Sequence, residues 1–273
     1  MSNLEGGYPE STGKDMALGS SHEDILEGSS QQKLSILRPG EFEKMHMSPA
    51  HKVDGNLRSV FGNPTPLGLL GMNLSVSPLC CQLMGWAGAG GGGAATVGTF
   101  YFIGGLLMTL AGVLEFILGN TFTFVVFCSF GGFWFSFGAT LTPAYNATGA
   151  YNPSNPMNPE FHSSFAFFAL FMGFLCFVYL ICSFRINCAC VVMFLSMTLG
   201  FCFMAGTYWL IARGNMDFAE KMQVATGASL FVTSMSGWYY FVAELFSSIG
   251  MISIPVGDLS RFAKRIGLMA NKV

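Results

Sequence analysis

The sequence predicts an all-α membrane protein, a bundle of six transmembrane helices with both termini cytosolic, and three observations predict it. Only 10% of the residues are charged, while 52% are hydrophobic and 15% aromatic, against roughly a quarter charged in soluble domains. The charges crowd at the front: residues 1–58 hold six of the thirteen Lys and Arg and nine of the fifteen Asp and Glu. The remainder divides into six apolar stretches, 67–84, 97–118, 121–142, 163–183, 188–211 and 224–247, each near the ~20 residues that cross a bilayer.

Residues 1–58 are rich in Ser, Gly, Glu, Asp, His and Lys and poor in aromatic residues. Such a segment cannot bury enough apolar surface to offset the entropy of ordering, so a disordered cytosolic tail is expected. No apolar run follows its start, which excludes a secretory signal peptide. The transmembrane domain is expected over 59–257 and a cytosolic C-terminal tail over 258–273.

Span one should open at Pro66, a residue suited to a first helical turn, with Asn63 or Thr65 as cap. Pro78 is expected to kink it, with Ser75 and Ser77 able to satisfy freed backbone groups. The segment holding Gly88 and Gly90 to Gly93 reads as an outer turn; it lacks the Lys-Ser/Thr of a phosphate-cradling loop. Asn120 sits in a very short turn between spans two and three. The stretch from Tyr145 to Pro159 is dense in Asn and Pro and should be an outer loop, where Asn146-Ala147-Thr148 forms a glycosylation sequon. A second sequon, at Asn73, falls within span one and should be inaccessible. Lys44, Lys52 and Arg58 precede span one, Arg185 lies between spans four and five, and Arg261, Lys264, Arg265 and Lys272 follow span six, against Arg213 and Lys221 on the other side. The positive-inside rule therefore orients both ends towards the cytosol.

Several function classes are disfavoured. The net charge of -2 comes with no basic stripe, so nucleic acid is not an expected partner. The eight cysteines lie in or beside apolar runs, where they behave as small hydrophobes, and no zinc-type spacing or cofactor motif occurs. No nucleophile motif or HExxH is present, and the four histidines lie outside the spans, so no enzyme is expected.

Polar groups inside the spans are the candidate functional residues. Glu115 and Glu244 lie near the cytosolic ends of spans two and six, and intramembrane acids are costly. Asn63 and Asn120 fall at the same depth. The four can form a hydrogen-bonded vestibule, or they can hold helix ends together. Gly104, Met108, Ala111 and Glu115 form a helical stripe that fits either a path or a packing seam. Span three carries Phe on every face, so some rings meet lipid and others can narrow a pore.

Specific strings sharpen this reading. Phe61-Gly62-Asn63-Pro64-Thr65-Pro66-Leu67-Gly68-Leu69 resembles the NPxPLGL signature of the YaaH/SatP acetate uptake transporter family. The block from Ala111 to Phe122 resembles that family's AGxxE(F/Y)xxGNTF segment, and Ser129 to Trp134 its SYGxFW. Glu244 with Ile254-Pro255-Val256-Gly257 is similar to its last helix and LPxG end. The resemblance spans residues 61–257, and the long polar tail is similar to fungal members. It implies a homo-oligomer, a hexamer, with one path per protomer for acetate or related monocarboxylates, proton coupling and a plasma-membrane location. At positions that carry Phe and Tyr in relatives this chain has Met72 and Phe130; with a span-five Leu, placed here at Leu195, they form the narrow apolar constriction. Met108 stands where relatives carry Gln. These departures leave two other readings in play, a membrane acid-stress sensor with little flux and a channel for a neutral solute such as ammonia or urea.

Overall fold

A helix occupies each of the six apolar stretches: α1 Thr65–Leu83, α2 Gly91–Ile117, α3 Thr121–Leu141, α4 Pro159–Ser183, α5 Cys188–Ala212 and α6 Met216–Ser248. The computed structural model describes residues 61–151 and 158–259. The tail expected over 1–58, the end of the expected outer loop at 152–157 and most of the tail expected over 258–273 lie outside the described residues. All described residues fall in one of two compact units, Met47–Val273. Helices α2 to α5 are each long and apolar enough to cross a membrane. The other two are more polar: α1 carries Asn73, Ser75, Ser77 and Gln82, and α6 carries Asp217, Glu220, Lys221 and Glu244.

Local chemistry sets the helix ends. Three helices begin at an Asn whose side-chain oxygen accepts from backbone N–H groups of the first turn: Asn158 from Glu160 and Phe161, Asn187 from Cys190, and Asn215 from Phe218. Such caps satisfy donors that a helix leaves without partners. At α1 the expectation is corrected in detail. Pro64 is the cap residue, Asn63 accepts from the Thr65 N–H at 3.1 Å, and the Thr65 hydroxyl turns elsewhere. Pro78 lies inside α1, and Ser77 donates to the Asn73 carbonyl one turn back at 2.6 Å. Ser75 finds no hydrogen-bond partner among the described residues and packs towards Gly104 and α2 instead. Helix α2 is not uniform: a 3-10 turn at Gly91–Thr96 and a π-helical turn at Phe100–Gly105 precede its regular part, Leu106–Ile117.

The helices neighbour one another in the order α1, α2, α3, and α4, α5, α6, with α6 returning to α1. Rings join the two halves: Phe133 of α3 stacks on Phe168 of α4 at 6.0 Å and meets Phe201 of α5 edge-on at 5.2 Å. The exposed Asn146 follows the short turn Pro143–Tyr145, and Asn73 is fully buried.

Helices α2 and α3 approach backbone to backbone. A Cβ added at Gly131 would stand 2.3 Å from the Thr109 hydroxyl, 3.0 Å from its backbone nitrogen and 3.1 Å from the Gly105 carbonyl. Backbone cannot yield as a side chain does, and close approach at small residues is what joins helices in lipid, where no hydrophobic force acts between them. Gly131→Val is therefore expected to destabilise the bundle by about 1–3 kcal/mol, whereas Gly132→Ala, at a position with nothing within 4 Å, is neutral or stabilising. Thermal unfolding in detergent compares the two; equal midpoints would contradict the packing described.

Candidate functional site

Two cavities lie end to end inside the bundle. The distal one, near the glycine-rich segment, has a volume of about 100 Å³; the proximal one, near the start of α1, has about 40 Å³. Three side chains line both: Met72 of α1, Phe130 of α3 and Met197 of α5. They form a neck where the cavities meet, and each is at most 5% exposed. Phe130 leans on Tyr179 of α4 with ring centroids 6.2 Å apart, and the Tyr179 hydroxyl pairs with Ser129 at 3.0 Å. The hydroxyl of the tyrosine against Phe130 is thus already engaged.

Of the residues expected at the constriction, Met72 and Phe130 sit at the neck and Leu195 does not. Leu195 is 48% exposed and lines neither cavity. Two residues turn a helix by about 200°, so Met197 faces inward where Leu195 faces out. Met108 is fully buried and lines the proximal cavity. The stripe on α2 is thus divided, because Gly104 lies against Ser75 and Trp134 while Met108 faces the cavity. Pro64, Pro66 and Gly68 are buried and Leu67 is half-buried, and none lines either cavity. Gly68 admits the Phe127 ring, whose atoms stand 2.4–2.6 Å from an added Cβ.

At the proximal end the predicted polar residues meet. Glu115 is fully buried; one carboxylate oxygen accepts from the Thr65 hydroxyl and the other from the Asn120 amide. The Asn120 backbone N–H also donates to the Glu115 carbonyl at 2.9 Å, closing the turn between α2 and α3. Asn63 accepts from the Thr65 N–H and donates to Ser248 at 2.9 Å and to Glu244 at 3.4 Å. The chain of bonds therefore runs from the α2–α3 turn through the start of α1 to the end of α6. Thr65 lines the proximal cavity, whereas Asn63, Glu115, Asn120 and Glu244 flank it.

No charged side chain lines either cavity. The polar lining is Trp134, Thr207, Tyr208, Gln223 and Thr226 in the distal cavity, and Thr65, Thr123 and Tyr240 in the proximal one, and the Trp134 indole N–H has no hydrogen-bond partner among the described residues. The Thr207 and Thr226 hydroxyls donate to carbonyls of their own helices, each at 2.9 Å, which commits their protons and leaves their oxygens able to accept. Sequence reasoning missed Met197 and the distal polar set. Gln223 fell one position outside the predicted sixth span, and no spacing in α5 distinguished Met197 from its apolar neighbours. No group of three His, Cys, Asp or Glu side chains able to hold a metal occurs among the described residues.

Known proteins bear on this arrangement. Residues 46–261 match the model of the GPR1/FUN34/yaaH family. The chain is 45% identical over 232 residues to "Protein alcS" of Aspergillus fumigatus, covering 82% of this chain and 85% of that one. It is 26% identical over 205 residues to "Acetate transporter protein patA" of Aspergillus clavatus, covering 75% and 81%. It is also 41% identical over 86 residues to "Ammonia transport outward protein 3" of Saccharomyces cerevisiae, covering 32% and 31%. Among solved structures, that titled "Structure of the bacterial acetate channel SatP" shares the fold, with a TM-score of 0.58 at 23% identity over 72% of this chain and 99% of that one. With a family model matched across the whole bundle and a fungal relative alike over most of both lengths, the chain belongs to the GPR1/FUN34/yaaH family.

Proposed function

We propose that the protein moves acetate or a related short monocarboxylic acid across a membrane, in its neutral protonated form at the neck. The observation that carries this reading is the meeting of two cavities at an apolar neck with no charged lining. An anion there would be stripped of water with no cation to meet it, at a cost of several kcal/mol, whereas the protonated acid carries no such penalty. The relative named an acetate transporter supports the substrate class. On this reading all six helices span the membrane, the proximal end faces the cytosol and the protein acts as a homo-oligomer, a hexamer, in the plasma membrane, without enzymatic activity. Protons travel with the acid, so no separate proton site is required.

A second reading has a specific observation behind it. A neck without charge also passes a small neutral solute, and a relative is named for ammonia transport.

Labelled-acetate uptake into proteoliposomes, with propionate, ammonia and urea as competitors, separates the two. Saturable uptake that rises as external pH falls and is blocked by propionate is expected, since the neutral fraction changes about tenfold per pH unit above the acid's own pKa. Uptake indifferent to pH would remove the neutral-acid mechanism, and competition by ammonia or urea alone would favour the second reading.

Two substitutions test the neck. Met197→Ala is expected to raise propionate and butyrate uptake relative to acetate, while Leu195→Ala leaves the ratio unchanged; the reverse would place the constriction on the other face of α5. Glu115 takes two donors from the protein itself, and an amide cannot accept both as a carboxylate does. Glu115→Gln is therefore expected to lower stability by about 1–3 kcal/mol while residual uptake keeps its acid stimulation. Loss of the pH response in a stable Glu115→Gln protein would instead make Glu115 the proton-handling group.

A further inference from the structure

Beyond α6 the chain turns back as an extended strap, residues 251–259. Three of its backbone hydrogen bonds join it to the N-terminus of α5. The N–H groups of Cys188 and Ala189 donate to the carbonyls of Gly257 and Val256 at 2.8 and 3.4 Å, and the Leu259 N–H donates to the Ile186 carbonyl at 3.4 Å. Asn187 and Asp258 face each other across the resulting antiparallel bridge. The strap thus supplies acceptors to the first N–H groups of α5, which a helix leaves without partners of its own. The Tyr239 hydroxyl of α6 fastens the other side, donating to the Pro255 carbonyl at 2.6 Å.

The anchored element is a wall of the pathway. Ile186 and Cys190 line the proximal cavity, and further along α5 Met197 stands at the neck. Gly257 fits its place for two reasons: its φ of +73° is one that side-chain-bearing residues rarely adopt, and an added Cβ would stand 2.9 Å from the Cys188 Cβ. The contact that holds the strap to α6 lies at an exposed tyrosine, 45% accessible, so it can open without unfolding the core.

We propose that the strap is a latch for the proximal half of the pathway: engaged, it holds the start of α5 inward and narrows the proximal cavity; released, it lets that wall move out. Tyr239 and Gly257 are then positioning residues acting through α5. The regulation of flux by the latch rests on the transport reading above, but its hold on α5 does not.

The full chain in proteoliposomes tests it, with Tyr239→Phe and Gly257→Ala releasing the strap at two independent points. Peptide mass mapping reads the reaction of Cys190, 5% exposed in the folded chain, with a small and with a bulky thiol reagent, and Cys202, exposed on α5, is the control. Both variants are expected to speed reaction at Cys190 by roughly two- to tenfold, the factor one lost hydrogen bond gives. The bulky reagent should gain more than the small one, Cys202 should not change, and butyrate uptake should rise relative to acetate. Unchanged Cys190 reactivity in both variants would overturn the latch. Faster reaction with both reagents gaining equally would reduce the strap to a helix cap and overturn its control of width. If the unaltered protein takes up no acid while the reagent ratio still shifts, the transport reading fails and the latch stands.

Discussion

A carboxylate taken out of water must find its hydrogen bonds inside the protein, and the proximal end of this bundle is arranged around that demand at Glu115. Burying an unpaired acid costs far more than a bundle of this size can spare. The two oxygens therefore fix their donors, the Thr65 hydroxyl and the Asn120 amide. Thr65 in turn sets the start of α1 through Asn63, and Asn63 reaches Ser248 and Glu244 on α6. One buried acid thus joins the end of α2 and the start of α3 to the start of α1 and, through Asn63, to the end of α6. It lines neither cavity.

The middle of the bundle obeys the opposite rule. At the neck the lining is sulfur and ring, with Met72, Phe130 and Met197 meeting between the cavities, and several polar groups pair with one another between helices. Tyr179 is bonded to Ser129, and the Trp238 indole and Ser234 both pair with Ser77 in the contact between α1 and α6. These pairings consume hydrogen-bonding capacity between helices, while the cavities on either side of the neck keep a few polar groups in their lining. On the transport reading proposed above, such a neck discriminates by desolvation, favouring whatever loses least on leaving water. Two of the three neck residues are methionines, whose unbranched side chains repack easily, so the width at this point follows the position of the helices that carry them.

That dependence links the neck to packing elsewhere. Helices in lipid are held by close contact rather than by exclusion of water, and the backbone approach of α2 and α3 at Gly131 is a contact of this kind. Helix α5 is held differently at its start, by backbone hydrogen bonds from a segment distant in sequence, and it is the helix that carries Met193, Phe194 and Met197 to the cavities.

Much of this was legible in the sequence, for reasons that are local. The hydrophobic stretches had to become helices because lipid offers backbone groups no other partner, and α3 and α5 lie within a residue of the expected bounds at both ends. Glu115, Glu244, Asn63 and Asn120 stood out because polarity in an apolar run is visible without a structure. What the sequence left open depended on rotation and on distance. Whether Leu195 or Met197 faces inward turns on the phase of α5, and a helix apolar on every side carries no phase signal. The Gly257 carbonyl meets the Cys188 N–H across some seventy residues of chain, and nothing in either segment encodes that meeting. Composition and local propensity determined the helices and the polar residues among them; only tertiary packing decided which side chains face the passage, because that choice is made by neighbouring helices and not by the helix itself.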